Sequence, residues 1–175
     1  MERIIKIAIT GPESSGKTKL AEKLANHYQT FYLPEYARSY LEEKKGSYTY
    51  SDIEHIIEHH FKNESHLLDL ANYYLFYDTE WINFKLWLSI KYDKRLTIVD
   101  EAIEKKPFDF YLLTYPDLVW KEDSLREMPD KLSRISHFER FFTEIQKTGI
   151  PYAIIKGSGD DRLNNAIDAI EEQFG

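Results

Sequence analysis

Eight residues, Gly11-Pro12-Glu13-Ser14-Ser15-Gly16-Lys17-Thr18, follow directly on the apolar run Ile4 to Thr10 and open a stretch of helical periodicity. A glycine-bounded turn between a strand and a helix aims backbone N–H groups at one point, where a polyphosphate can sit. The lysine of such a turn reaches the β- and γ-phosphates, and the hydroxyl after it is placed to ligate Mg²⁺. At ordinary glycine usage this spacing arises by chance in about one chain in a hundred of this length. The strand before it and the helix after it lower that further. The motif therefore predicts a site for ATP and Mg²⁺ built on Gly11, Glu13, Ser14, Ser15, Gly16, Lys17 and Thr18. It also restricts the fold, because the loop needs a strand inside a sheet and a helix packed against it.

The rest of the chain supplies that sheet. Leu20, Ala21, Leu24, Ala25 and Tyr28 continue the first helix at 3–4 spacing. Phe31 to Pro34 reads as a second strand and Glu35 to Lys44 as a short helix. Ser51 with Glu54 predicts a capping box, and Ile53, Ile56, Ile57, His60, Phe61, Leu67 and Leu68 predict one helix of about five turns. Tyr73 to Tyr77, ending at Asp78, has a buried-strand pattern. A helix over 81–92, a strand over 108–114, a helix from Leu132 to Ile145, a strand over 152–155 and a closing helix follow. Strands alternating with helices imply a mostly parallel sheet covered on both faces. The expected fold is a three-layer α/β P-loop domain with five strands, of nucleoside- and nucleotide-kinase type. It is read as one domain over residues 1–175, with a polar, lid-like segment at about 115–130.

Bulk properties exclude several classes. Net charge is −7 with a pI near 5.4, which disfavours nucleic acid as the main partner. There is no cysteine, so neither a disulfide framework nor a thiolate metal site is available. No apolar run approaches the ~20 residues of a membrane helix, and no signal peptide is visible, so a cytoplasmic location is expected.

Ligands in such sheets bind beyond the carboxyl ends of the strands, so chemistry is expected in the residues just after them. A phosphoryl-transfer site needs a carboxylate beside the metal. Asp78 competes with Asp100, which follows the run Leu96-Thr97-Ile98-Val99. Too few residues separate Asp100 from the next strand for a crossover helix, and Ile98, Ala102 and Ile103 fit a short helix. Asp78 is therefore assigned the metal side. Glu35, just after the second strand, either faces an acceptor as a base or pairs with Arg38 one turn on. Arg126 and Arg134 either cover the transferring phosphoryl group or are solvated. Trp120 either stacks on a planar ligand or anchors its loop. Arg162, after the last strand, falls where the nucleotide base is expected. His60 reads as a core or boundary residue.

Taken together, the phosphate loop, Leu33-Pro34-Glu35-Tyr36-Ala37-Arg38, Tyr77-Asp78-Thr79, the run from Asp109 to Thr114, and Trp120-x-x-Asp123-x-x-Arg126 resemble the NadR-like nicotinamide riboside (ribosylnicotinamide) kinases. These are P-loop kinases of the AAA-type ATPase domain family. The resemblance runs from residue 4 to about 170. It implies transfer of the ATP γ-phosphoryl group to the 5′-hydroxyl of nicotinamide riboside, giving nicotinamide mononucleotide. It places Lys17 and Thr18 on phosphate and Mg²⁺, and Asp78 on the metal and acceptor side. It places Glu35, Tyr36 and Arg38 at the acceptor, and Trp120, Asp123 and Arg126 in the lid. The acceptor carries a pyridinium cation, so Tyr36 and Trp120 are candidates to stack on it. The chain departs from the family pattern at Glu80 and Trp81, and a bulky Trp81 near the acceptor would alter which nucleoside fits. The DNA-binding and adenylyltransferase parts of the multifunctional regulators are not seen, so the chain is expected to stand alone or to work with separate enzymes. The alternatives are a P-loop kinase for another nucleoside or metabolite, and a nucleotide-binding ATPase switch.

Overall fold

The computed structural model describes residues 3–122 and 125–175. Five strands form one sheet: β1 (Ile5–Thr10), β2 (Phe31–Leu33), β3 (Tyr74–Asp78), β4 (Phe110–Thr114) and β5 (Tyr152–Ile155). Their order is β2-β3-β1-β4-β5 and every pairing is parallel. The chain steps outward from β1 to β2, returns to β3, and then crosses to β4 on the other side. Two parallel strands that leave β1 in opposite directions open a crevice at its carboxyl end, and the phosphate loop fills it.

The helices are α1 (Lys17–His27), α2 (Tyr36–Glu43), α3 (Tyr50–His60), α4 (Glu64–Leu70), α5 (Trp81–Tyr92), α6 (Thr97–Glu104), α7 (Lys131–Thr148) and α8 (Gly159–Phe174). The two-residue period of the strands sorts the core into layers. Ile7, Ile9, Tyr74 and Phe76 face α1 and α8, where they meet Leu20, Leu24, Ala166 and Ile170. Ala8, Leu75, Tyr77, Tyr111 and Leu113 face the other way, against Ile82, Leu86, Phe138, Phe141 and Ile145. The same alternation sends Asp78 to the α1 face, beside the helix that Lys17 and Thr18 begin.

The continuous helix expected over 53–68 is divided. Ile53, Ile56 and Ile57 of α3 belong to a cluster with Phe84, Leu88 and Val99, whereas Leu67 and Leu68 of α4 pack toward the sheet. One straight rod cannot face both clusters, and the chain turns at Phe61–Asn63, with Phe61 stacked on Trp81 at 4.3 Å. The capping box is two residues earlier than expected: Thr49 caps α3 and Asp52 answers its backbone N–H, not Ser51 and Glu54. Asp100 lies on α6, outside the sheet, paired with Arg95 at 2.9 Å. Among the described residues no helix is long and apolar enough to cross a membrane.

Candidate active site

The loop after β1 turns three times through conformations that side chains seldom adopt. Gly11 has φ +139°, Ser14 +57° and Gly16 +81°. Alternation of this kind makes consecutive N–H groups converge, which is the geometry of an anion nest. Glycine at position 11 is required twice over. Its φ lies in the region side chains avoid, and a Cβ there would fall 2.5 Å from Thr114 Oγ1 and 2.7 Å from the Thr114 carbonyl. The Ser15 hydroxyl lies 2.6 Å from both the Pro12 carbonyl and Thr114 Oγ1, so the loop is pinned to the end of β4. Lys17 folds over the loop and donates to the Gly11 and Pro12 carbonyls, each at 3.0 Å.

The two acidic strand ends, of β3 and then β2, lie side by side on one flank of this loop. Asp78 is fully buried and accepts the Thr18 hydroxyl at 2.6 Å through Oδ2, while its Oδ1 has no hydrogen-bond partner among the described residues. Burial pushes the Asp78 carboxyl up, and the Thr18 hydroxyl and Lys17 ammonium pull it back. Glu35 sits at the end of β2. Burial first, and the Asp78 charge second, raise its carboxyl to about 7, against the lowering pull of Lys17 and Arg38. Two neighbouring carboxylates cannot both ionise freely, and such pairs mark candidate acid–base groups. A third acid, Glu80, is fully buried, accepts Thr10 Oγ1 at 2.8 Å and the Ile82 N–H at 2.7 Å, and caps α5.

A cavity of about 1120 Å³ runs from the phosphate loop along α2 and α5 to the segment after β4. Of the sequence-derived residues, Glu13, Ser14, Gly16, Lys17, Thr18, Glu35, Arg38, Arg126 and Arg162 line it. Others do not. Tyr36 packs outward on His59 at 5.8 Å, and Trp81 lies flat on Phe61. Trp120 keeps its indole Nε1 buried and without a partner, off the cavity wall. Arg134 is buried at the start of α7 and donates to the Pro129 carbonyl at 3.1 Å. Asp123 lies outside the described residues. Arg162 is a clamp as well as a wall: its guanidinium donates to the carbonyls of Ser15 at 3.0 Å, Ile155 at 3.2 Å, Gly157 at 2.8 Å and Tyr115 at 3.1 Å, and pairs with Asp117.

Sequence reasoning missed the aromatic wall. Tyr48 and Trp87 meet edge to face at 5.3 Å, with the Trp87 N–H donating to the Tyr48 hydroxyl at 3.0 Å, and both line the cavity. The α5 sequence buries two opposite faces, Ile82 with Leu86 and Phe84 with Leu88, so no single amphipathic stripe told Trp87 from Trp81. The segment after β4 also reaches the loop: Glu13 accepts the Glu127 N–H at 2.9 Å and the Met128 N–H, while Glu127 pairs with Lys91.

A parallel β2-β3-β1-β4-β5 sheet, a phosphate loop after β1 and a carboxylate at the end of β3 define a P-loop domain of the nucleoside- and nucleotide-kinase fold. Solved structures agree. NadR protein in complex with NR superposes with a TM-score of 0.78 at 22% identity, over 99% of this chain and 51% of that one. Thymidylate kinase from Candida albicans superposes at 0.66 and 16% identity, over 97% and 92% of the two chains. The chain belongs to the AAA domain family, whose model matches residues 6–162. It is also 26% identical over 174 residues to the trifunctional NAD biosynthesis/regulator protein NadR of Salmonella typhimurium, covering 97% of this chain and 42% of that protein. The chain thus spans less than half the length of the curated relatives it matches.

Proposed function

We propose that this chain is an ATP-dependent kinase that transfers the γ-phosphoryl group to the 5′-hydroxyl of nicotinamide riboside. The observation that carries this reading is the placement of Glu35 and Asp78 at the ends of adjacent strands, where both line a small pocket that shares Glu35, Arg38 and Thr18 with the main cavity. With its carboxyl raised to about 7, Glu35 is poised near neutral pH to take the proton of an attacking hydroxyl. As that oxygen bonds to the γ-phosphorus, the bridge to the β-phosphate breaks and ADP leaves. Lys17 and Arg126, both on the cavity wall, face the charge that spreads over the transferred group. The segment 115–130 serves as the lid, and the Glu13 carboxylate holds its Glu127 and Met128 N–H groups over the site.

Mg²⁺ fits the residues present. Asp78 Oδ1 is a buried carboxylate oxygen with no partner, next to the Thr18 hydroxyl, and an unmet buried acceptor costs about 1–3 kcal/mol. Thr18 and Asp78 would hold the ion, with phosphate oxygens and water filling its remaining positions. When bound, it neutralises charge between the β- and γ-phosphates.

Nicotinamide riboside is the acceptor favoured by the sequence relatedness to NadR and by the chemistry of the wall. A pyridinium cation gains from the rings of Tyr48 and Trp87 and from the ionisable carboxylate of Glu35, all on the cavity wall. The test is an ADP-release assay over nicotinamide riboside, the common nucleosides and no acceptor, with mass detection of the phosphorylated product. Nicotinamide riboside should give the largest signal. A signal no greater than the blank would remove this acceptor, and a signal independent of any acceptor would make the chain an ATPase.

A further inference from the structure

His60 is the last residue of α3 and is 2% exposed. Its ring lies between two backbones that the chain keeps far apart in sequence. The Tyr36 N–H points at Nδ1 at 3.4 Å, and Nε2 lies 3.2 Å from the Thr79 carbonyl. An N–H donor on Nδ1 requires that nitrogen to be the acceptor, so the proton sits on Nε2 and is donated to Thr79. The ring is therefore neutral, and its burial, which pushes the imidazole down to about 4, acts in the same direction. Phe61 and Phe84 stand edge-on to it at 4.6 and 5.2 Å and seal it from water.

The two bonded backbones each follow a carboxylate by one residue. Tyr36 follows Glu35 and Thr79 follows Asp78. The β2–β3 ladder ends at the pair Leu33–Tyr77, so Glu35 lies past the last paired residue of β2. Thr79 also has φ +79°, a conformation that a β-branched residue rarely holds. Strain of this kind costs about 1–3 kcal/mol and persists only when neighbours over-determine it. Two ties do so here: the Thr79 N–H donates to the Ile9 carbonyl at 3.1 Å, and its carbonyl accepts from His60.

From this geometry we infer that His60 is a positioning residue of the phosphoryl-transfer site, a neutral imidazole strut that sets the Glu35–Asp78 spacing and locks the strained Thr79 between Asp78 and the cap of α5. The inference rests on the reading of Glu35 and Asp78 as site carboxylates. It assigns a role to a helix residue that touches neither ligand. Misplacement of a reacting group by ~1 Å can cost up to ~100-fold in rate, so a strut acts on turnover more than on binding.

Three variants test it in the full chain. His60→Leu removes both arms, His60→Gln keeps a donor for Thr79, and His60→Asn keeps an acceptor for the Tyr36 N–H. Melting curves, kcat, and KM for ATP and the best acceptor are measured for each. His60→Leu should lower kcat by roughly tenfold to a hundredfold with KM for ATP within about twofold. The two polar variants should recover part of that loss. Wild-type kcat in a folded His60→Leu protein overturns the inference, as does a loss that follows only the folded fraction. The imidazole ¹⁵N spectrum of the wild type supplies an arm independent of turnover. The inference requires a single tautomer protonated at Nε2, and protonation at Nδ1 overturns it even if no acceptor is ever phosphorylated. If another nucleoside replaces nicotinamide riboside in the screen, the acceptor assignment fails while the His60 comparison proceeds on the substrate found.

Discussion

Glu80→Gln isolates the cost of one buried charge. Glu80 is fully buried, and burial raises its carboxyl from an ordinary value of 4.5 to about 7, although Thr10 and the backbone N–H of Ile82 both hydrogen-bond it. A group whose acid form is favoured by folding binds more protons folded than unfolded between those two pH values. Its contribution to stability is therefore complete below about pH 4.5 and is lost as pH rises through about 7. At ~1.4 kcal/mol per pH unit the gap is worth about 3 kcal/mol. Glutamine imitates the protonated acid: Oε1 can accept the Ile82 N–H while the amide donates to Thr10 Oγ1. The measurement is urea unfolding of both proteins from pH 5 to 8.5. The two should match within about 1 kcal/mol at pH 5, and the variant should be more stable by about 3 kcal/mol at pH 8.5. Other groups titrate in the same window (Glu35 raised, His60 and His137 lowered), but they are common to both proteins and cancel in the difference. Parallel curves across the whole range would refute the argument that desolvation controls Glu80.

Two further outcomes follow from the site. Asp78→Asn should lower kcat about a hundredfold or more, because it removes the negative charge beside Thr18 and Lys17. Asp100→Asn should change turnover less than about twofold, since that carboxylate makes only surface pairs with Arg95 and Lys85. Gly11→Ala should abolish binding of a non-hydrolysable ATP analogue and cost about 3 kcal/mol or more in stability, combining a strained φ with overlap on Thr114. An alanine variant that binds the analogue normally would contradict the packing read at the end of β4.

Much of this protein was legible in the linear order of its residues, because local patterns are set by local chemistry. The phosphate loop declares itself through glycines and a lysine at fixed spacing. Helix and strand follow from periods of 3.6 and 2. Asp78 could be preferred to Asp100 from connection length alone, and α6 is indeed a short helix. The site line could be drawn at the carboxyl ends of the strands before any coordinates. What the order of residues left open was everything set by elements meeting across the fold. The strand order β2-β3-β1-β4-β5 follows from packing of whole layers. The break between α3 and α4 exists because two separate clusters draw on one apolar stretch. Trp87, not Trp81, faces the cavity because α5 buries two opposite faces and only its neighbours decide which side between them meets a ligand. Arg162 is tied to four carbonyls and Asp117, partners spread over more than a hundred residues of chain. His60 looked like a core residue and is one, yet its two ring nitrogens join the backbones beside both site carboxylates. A side chain's type and period indicate that it is buried; only the tertiary structure decides what it touches there.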